Sequence, residues 1–258
     1  MSSIFDLPKR CEKPRTKGLN ILIDNGLPTQ YFRDIVFSHS TLIDFVKFGW
    51  CTAIITKDID EKIKALREAD IQFFFGGTFF EKAVHQNKVD AFIDYIREKG
   101  STHVEVSNGT IDLSPKEKAR HISRLSEEFA VMSEVGFKDN ERSREMHPAR
   151  WVEEIIIDFE AGAEYVITES RESGRSGIAR DNGEVRYGLI NELLDCPKYE
   201  NDKLIFEAPN KYLQNYFIKL IGPNVNLANV AFQDIVACET LRLGLRSDTL
   251  LHFQQNDR

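Results

Sequence analysis

The chain has 258 residues, of which 29% are charged and 41% hydrophobic, with a formal net charge of −7. That length fits one α/β barrel, a fold of about 250 residues with a sizeable core. The acidic balance argues against a nucleic-acid surface, which needs a basic face, and the apolar runs fall far short of the ~20 residues of a membrane helix.

Residues 1–18 are polar and basic, contain Pro8 and Pro14, and read as an arm outside the core. Lys9, Arg10, Lys13, Arg15 and Lys17 lead into no apolar segment, so a cytoplasmic rather than a secreted protein is expected. Cys11, Cys51, Cys196 and Cys238 lie far apart without metal spacing and read as reduced thiols.

From residue 19 to 251 one pattern repeats: a short apolar run ends in a polar residue or glycine, and an amphipathic stretch follows. The first run is Leu19–Asp24, followed by Pro28 in a helical first turn. The second is Leu42–Gly49, with a helix over about 58–69, and the third Ile71–Phe75, with one long helix over about 79–99. The fourth is His103–Gly109; Ser114, Pro115 and Glu117 then form a capping-box signature. The fifth, Ala130–Gly136, leads through a polar loop to a helix near Pro148. The sixth, Ala163–Glu169, is followed by the loop Ser170–Gly177 and a helix near 187–195. The seventh is Lys203–Pro209, with a helix from about 211, and the eighth Asn224–Asn229, with a helix over about 232–243. Residues 252–258 remain as a tail.

Eight strand-helix units in strict alternation predict a parallel sheet, and eight is the number that closes a single (β/α)8 TIM barrel. The alternative is an open doubly wound sheet, weakened because no Gly-x-Gly-x-x-Gly turn follows the first strand.

Active sites of such barrels lie at the C-terminal strand ends. Alternation puts Phe45 with Lys47, Glu105 with Ser107, Met132 with Glu134, Ile167 with Glu169 and Arg171, and Ile205 with Glu207 on shared faces. Charges in strands are costly unless paired or solvated by a site. Lys47, Lys138 and Arg171 are candidates to balance part of the carboxylate charge, and a divalent metal the rest. Oxygen ligands without His or Cys favour Mg2+. The loop Ser170–Gly177 is either an anion cradle or an ordinary solvated turn, and Gly76-Gly77-Thr78 is a second candidate cradle. Asn226 and Asn229 are placed to complete an oxyanion site. The six histidines are scattered, so acid-base work falls on Lys and Glu, with Lys138, Lys47 and Glu207 as catalytic candidates. Arg242, Arg246 and Asp248 read as a solvated or inter-element ion pair.

Several segments together resemble the phosphosulfolactate synthase family: Leu22–Pro28, Asp44–Trp50, Gly76–Thr78, Glu134–Gly136 with Lys138, Glu169–Gly174, Phe206–Pro209, Asn224–Asn229 and Glu239–Arg246. The resemblance spans about residues 18–250, and Asn25-Gly26 and Asn108-Gly109 match its bacterial branch, where archaeal members carry Lys-Gly and Asp-Gly. It implies a barrel, Mg2+, and addition of sulfite to phosphoenolpyruvate giving (2R)-phospho-3-sulfolactate, a carbon–sulfur lyase reaction that opens coenzyme M biosynthesis in methanogens. On that reading Glu105, Glu134 and Glu169 hold Mg2+, and Lys138 is the general acid, with Lys47 the runner-up or an anion anchor. Arg171, Ser173, Gly174 and Asn229 hold phosphate, and Asp24, Gly77 and Asn226 join the substrate-binding set. A homo-oligomer is compatible with the sequence. The rival readings are another barrel lyase or aldolase acting on a phosphorylated acid, and a non-catalytic, stress-related barrel.

Overall fold

Every apolar run becomes a parallel strand in the computed structural model, which describes residues 4–171 and 173–253. In chain order the elements are β1 (Asn20–Asp24), α1 (Thr29–Ser38), β2 (Phe45–Phe48), α2 (Thr52–Ile55), α3 (Ile59–Glu68), β3 (Gln72–Phe75), α4 (Gly77–His85), α5 (Val89–Glu98), β4 (His103–Ser107), α6 (Pro115–Leu125), β5 (Ala130–Val135), α7 (Asn140–Glu145), α8 (Pro148–Glu160), β6 (Tyr165–Thr168), α9 (Tyr187–Asp195), β7 (Leu204–Glu207), α10 (Lys211–Ile221), β8 (Asn226–Val230) and α11 (Ile235–Arg242).

The hydrogen-bonded order is β3-β2-β1-β8-β7-β6-β5-β4, all parallel. First and last strands are therefore neighbours, which a doubly wound sheet does not allow, and the architecture is a nearly closed (β/α)8 barrel. Between β3 and β4 side chains take over from the ladder. Ser101 Oγ donates to Phe73 O at 3.0 Å and Thr102 Oγ1 to Gln72 Oε1 at 3.0 Å, while Gly77 N donates to Glu105 Oε1 at 2.6 Å.

Two apolar layers hold the barrel. Inward-facing Ile21, Phe45, Phe74, Met132, Ile167 and Ile205 fill its interior. Outward-facing strand residues such as Val46, Phe48, Phe75 and Phe206 pack with helix residues such as Phe32, Trp151 and Phe217. Each such large buried side chain contributes about 1.5–3 kcal/mol of transfer free energy.

The capping box at Ser114 and Glu117 is present, with Pro115 at the first helical position. Two expectations change. The single helix over 79–99 is split into α4 and α5, because Asn87 turns left-handed (φ +53°) and Lys88 N closes back on Ala83 O at 2.8 Å. The polar loop before Pro148 contains α7, capped by Asp139, whose side chain accepts from Arg142 N at 2.9 Å.

The basic arm is tied across the N-terminal ends of the strands. Arg15 pairs with Asp44 at 2.9 Å, Lys13 Nζ donates to Ile43 O at 2.6 Å, and Arg10 pairs with Glu239 at 2.8 Å. Beside it, Arg242 is fully buried and donates to Pro223 O, Val225 O, Leu19 O and Asn20 Oδ1 at 2.7–3.3 Å. It is thus an inter-element tie joining α11 to β1 and β8, with no solvated role. No helix among the described residues is long and apolar enough to cross a membrane.

Replacing Arg242 by Ala takes the guanidinium donor from Pro223 O, Val225 O and the buried Asn20 Oδ1, while Leu19 O keeps Leu227 N. The expected loss is about 3–5 kcal/mol of unfolding free energy in a urea titration. A loss under about 1 kcal/mol would contradict this account of the barrel's closed end.

Candidate active site

At the opposite end the strands deliver their polar residues into one cavity. Its walls include Lys47, Gly76, Gly77, Glu105, Glu134, Lys138, Glu169, Arg171, Glu207 and Asn229, with Ile23, Trp50 and Thr78 at the rim. The space between atoms, including the solvent mouth, is about 380 Å³. Its floor is the apolar interior layer, one residue pair below each charge: Phe45 under Lys47, Met132 under Glu134, Ile167 under Glu169, Ile205 under Glu207.

Lys47 is buried at the centre, with Nζ 2.9 Å from Glu105 Oε2, 3.4 Å from Glu207 Oε1 and 3.5 Å from Glu134 Oε2. Burial works against its charge, but Glu105, Glu207 and Glu134 outweigh that and raise its pKa. Lys138, nearer the mouth, lies 2.5 Å from Glu134 Oε1 and 2.7 Å from Glu169 Oε2. Against the effect of burial, Glu134 and Glu169 raise its pKa well above the usual lysine value.

The carboxylates diverge in their protonation. Burial lifts Glu105 to about 7, with Glu134 adding to the lift and Lys47 opposing it. Burial and the charge of Glu207 raise Glu169 well above the normal range. Glu134 resists burial because Lys138 and Lys47 both face it, and its pKa is lowered.

Four carboxylates thus face two ammonium groups at the core of the site. Oxygens of Glu134, Glu169 and Glu207 lie within 4.8 Å of one another, a spacing suited to one cation. Buried Glu169 Oε2 has an ion-pair neighbour but no hydrogen bond, so it has coordination capacity left. These three residues fit a hard divalent ion. The grouping differs from the sequence-based set. Glu105 lies outside this trio, beside Gly77 N and Lys47, and Glu207, expected as an acid-base residue, lies within it.

The backbone explains the glycines. A Cβ on Gly77 would lie 2.5 Å from Ser107 Cβ and 2.8 Å from Glu105 Oε1, and one on Gly76 3.1 Å from Lys47 Cε. Only glycine lets the β3–α4 turn pass so close. The Gly77 N–H is used by Glu105, so that expected anion cradle is filled by an internal carboxylate. Arg171 is strained at φ +59°, with its N–H on Glu169 Oε1. Asn229, at φ +56°, donates through Nδ2 to Glu207 Oε1, and its buried Oδ1 has no hydrogen bond.

Four expected substrate residues are placed elsewhere. Asp24 accepts from Gly26 N and Leu27 N at 2.8 Å and from buried Lys62 at 2.6 Å, so it holds the β1–α1 turn. Asn226 starts β8 and bonds Leu19 N, Asp202 O and Leu204 O, at the end of the barrel away from the cavity. Ser173 and Gly174 lie in the β6–α9 loop but do not line the cavity. Gly174 N donates to Arg171 O at 3.0 Å within the loop, and Gly177 N ties the loop to α7 through Ser143 Oγ at 2.9 Å. Sequence reasoning missed Trp50 at the rim and Glu81 behind the wall. The helical spacing of Phe80, Glu81 and Val84 put that glutamate on an apolar face and was the available signal.

The family model described as (2R)-phospho-3-sulfolactate synthase (ComA) matches residues 8–248. This chain belongs to that family. It is 54% identical to the phosphosulfolactate synthase of Bacillus subtilis (strain 168), over 95% of this chain and 97% of the relative. Identity to the phosphosulfolactate synthase of Methanothermobacter thermautotrophicus is 40%, over 95% and 96%. The bacterial wording at Asn25 and Asn108 agrees with that ranking. The fold of the family is also that of the YdjI aldolase of Escherichia coli K12, at a TM-score of 0.54 and 11% identity, covering 86% of this chain and 78% of that one. At that identity the likeness concerns the fold alone.

A pH dependence follows from Glu105. Its folded pKa of about 7 lies above the ~4.3 of an unfolded glutamate. Its stabilising contribution is therefore complete below about pH 4.3 and is lost as pH rises through 7. Measured by denaturant unfolding of metal-free protein between about pH 5 and 8, the Glu105→Gln variant is expected to lose up to one proton's worth of this downward slope. An unchanged slope would show that Glu105 is not the group titrating there.

Proposed function

We propose that this chain is a phosphosulfolactate synthase that adds sulfite to phosphoenolpyruvate, giving (2R)-phospho-3-sulfolactate with Mg2+ as its metal. Family membership supports the overall activity. The observation that carries the chemistry is the ring of Glu105, Glu134, Glu169 and Glu207 around Lys47 and Lys138.

The sulfur lone pair attacks the methylene carbon of phosphoenolpyruvate, and a proton must reach the adjacent carbon that bears the phosphate. A bound Mg2+ would supply Lewis-acid stabilisation of the charge that develops on the substrate carboxylate. Glu134, Glu169 and Glu207 would hold it. Lys138 stands at the mouth, kept protonated by Glu134 and Glu169, and is the proton donor. Lys47 is locked in a fixed place by Glu105, Glu134 and Glu207, and so serves as a preorganised cation for a substrate anion. Arg171 and Asn229 line the same cavity and are suited to the phosphate. The apolar floor keeps the local dielectric low, which strengthens each of these interactions.

Purified protein with phosphoenolpyruvate, sulfite and Mg2+ is expected to form phosphosulfolactate, detected by mass, and exhaustive chelation is expected to stop it. Lys138→Ala should lower kcat by about 10²–10⁴-fold, the usual range for removing a general acid. Near-normal turnover in that variant would remove Lys138 from the role, and a folded wild-type protein that forms no product would overturn the proposed activity.

A further inference from the structure

Behind the cavity wall lies a carboxylate that the proposed chemistry does not use. Glu81, on α4 one turn after Gly77, is 2% exposed. Its Oε1 accepts from Ser107 Oγ at 2.9 Å and from Thr110 N at 3.0 Å. Its Oε2 is buried without a hydrogen bond. A carboxylate kept half-paired in the interior is costly, and Phe80 and Ala83 already give α4 its apolar contacts.

Two routes lead from Glu81 to Lys138. By side chains, Ser107 Oγ also lies 2.8 Å from Glu134 Oε1, which is 2.5 Å from Lys138 Nζ. By backbone, Glu81 holds Thr110 N, and the preceding residue, Gly109, accepts through its carbonyl from Lys138 N at 3.2 Å. Gly109 also lies against the ammonium, since a Cβ there would be 3.4 Å from Nζ. Glu81 thus fixes Ser107, whose single proton it shares with the carboxylate that pairs with Lys138, and holds the loop that carries the backbone partner of Lys138.

We propose that Glu81 is a positioning residue for Lys138, acting through Ser107 and the loop 108–114 without touching substrate. The proposal rests on the reading of Lys138 as proton donor. It predicts an effect on the chemical step with little effect on binding, because a shift of about 1 Å at a reacting group can cost about 100-fold in rate.

The test compares wild type with Glu81→Ala, Glu81→Gln and Ser107→Ala, with Glu98→Gln on the exposed face of α5 as control. Glu81→Ala is expected to lower kcat by about 100-fold while KM for phosphoenolpyruvate stays within about threefold. Glu81→Gln retains an oxygen able to accept both hydrogen bonds and should recover most of the rate. Labelling of Lys138 by an amine-reactive reagent, quantified by peptide mass spectrometry, should rise in Glu81→Ala and Ser107→Ala but not in Glu81→Gln. Should Glu81→Ala fail to fold, Ser107→Ala, which cuts the side-chain route and also releases Gly109 N, carries the same expectation. A folded Glu81→Ala with kcat within twofold of wild type, or a loss of kcat with unchanged Lys138 labelling, overturns the proposal. A wild type without turnover overturns the proposed reaction alone, and the labelling then decides the positioning role.

Discussion

Like charges crowded over an apolar floor set the terms for the whole open end of this barrel. Glu105, Glu134, Glu169 and Glu207 are each buried to 1% exposure, and Lys47 and Lys138 stand between them. Water cannot screen them there, so each carboxylate must find a cation, accept a proton or remain costly. The chain uses the first two remedies unequally. Glu134 takes two ammonium neighbours and stays ionised, whereas Glu105 and Glu169 are pushed toward protonation. A site divided in this way favours protonation of some carboxylates and has room for a further positive charge.

The rest of the fold holds that crowd in place. Buried helix lysines reach to the strand ends from behind: Lys62 grips Asp24 and Leu27 O, and Lys118 grips Asp158 and the carbonyl of Glu134 itself at 2.6 Å. Ser133 donates to the same Asp158 oxygen at 2.6 Å. At the other end Arg242 and the basic arm bind the strand starts together. Catalytic precision in such a site comes from rotamers locked by these supports rather than from the reacting groups alone.

Much of this was legible in the sequence because strand alternation is rigid. Once the apolar runs are strands, Lys47, Glu105, Glu134, Glu169 and Glu207 must share the inward direction and the C-terminal ends. What alternation cannot convey is which partner each side chain finds. Asp24 follows cavity-lining Ile23 and so turns outward with Leu22, where Lys62 on α3 claims it. Asn226 failed on register: β8 begins at that residue, so it belongs to the closed end while Asn229 reaches the cavity. Lys62 and Lys118 are charged helix residues whose burial depends on tertiary packing, so a local pattern reads them as solvated. The break at Asn87 was hidden for a similar reason, because asparagine tolerates both helix and left-handed turn.

As a cation site, Glu134, Glu169 and Glu207 would release protons on occupation. Titration calorimetry of the metal-free protein with Mg2+ near pH 7, in two buffers of different ionisation enthalpy, measures this directly. Binding with net proton release is expected, and both the affinity and the release should fall in Glu169→Gln. Undetectable binding at millimolar Mg2+, or binding that Glu169→Gln leaves unchanged, would contradict it.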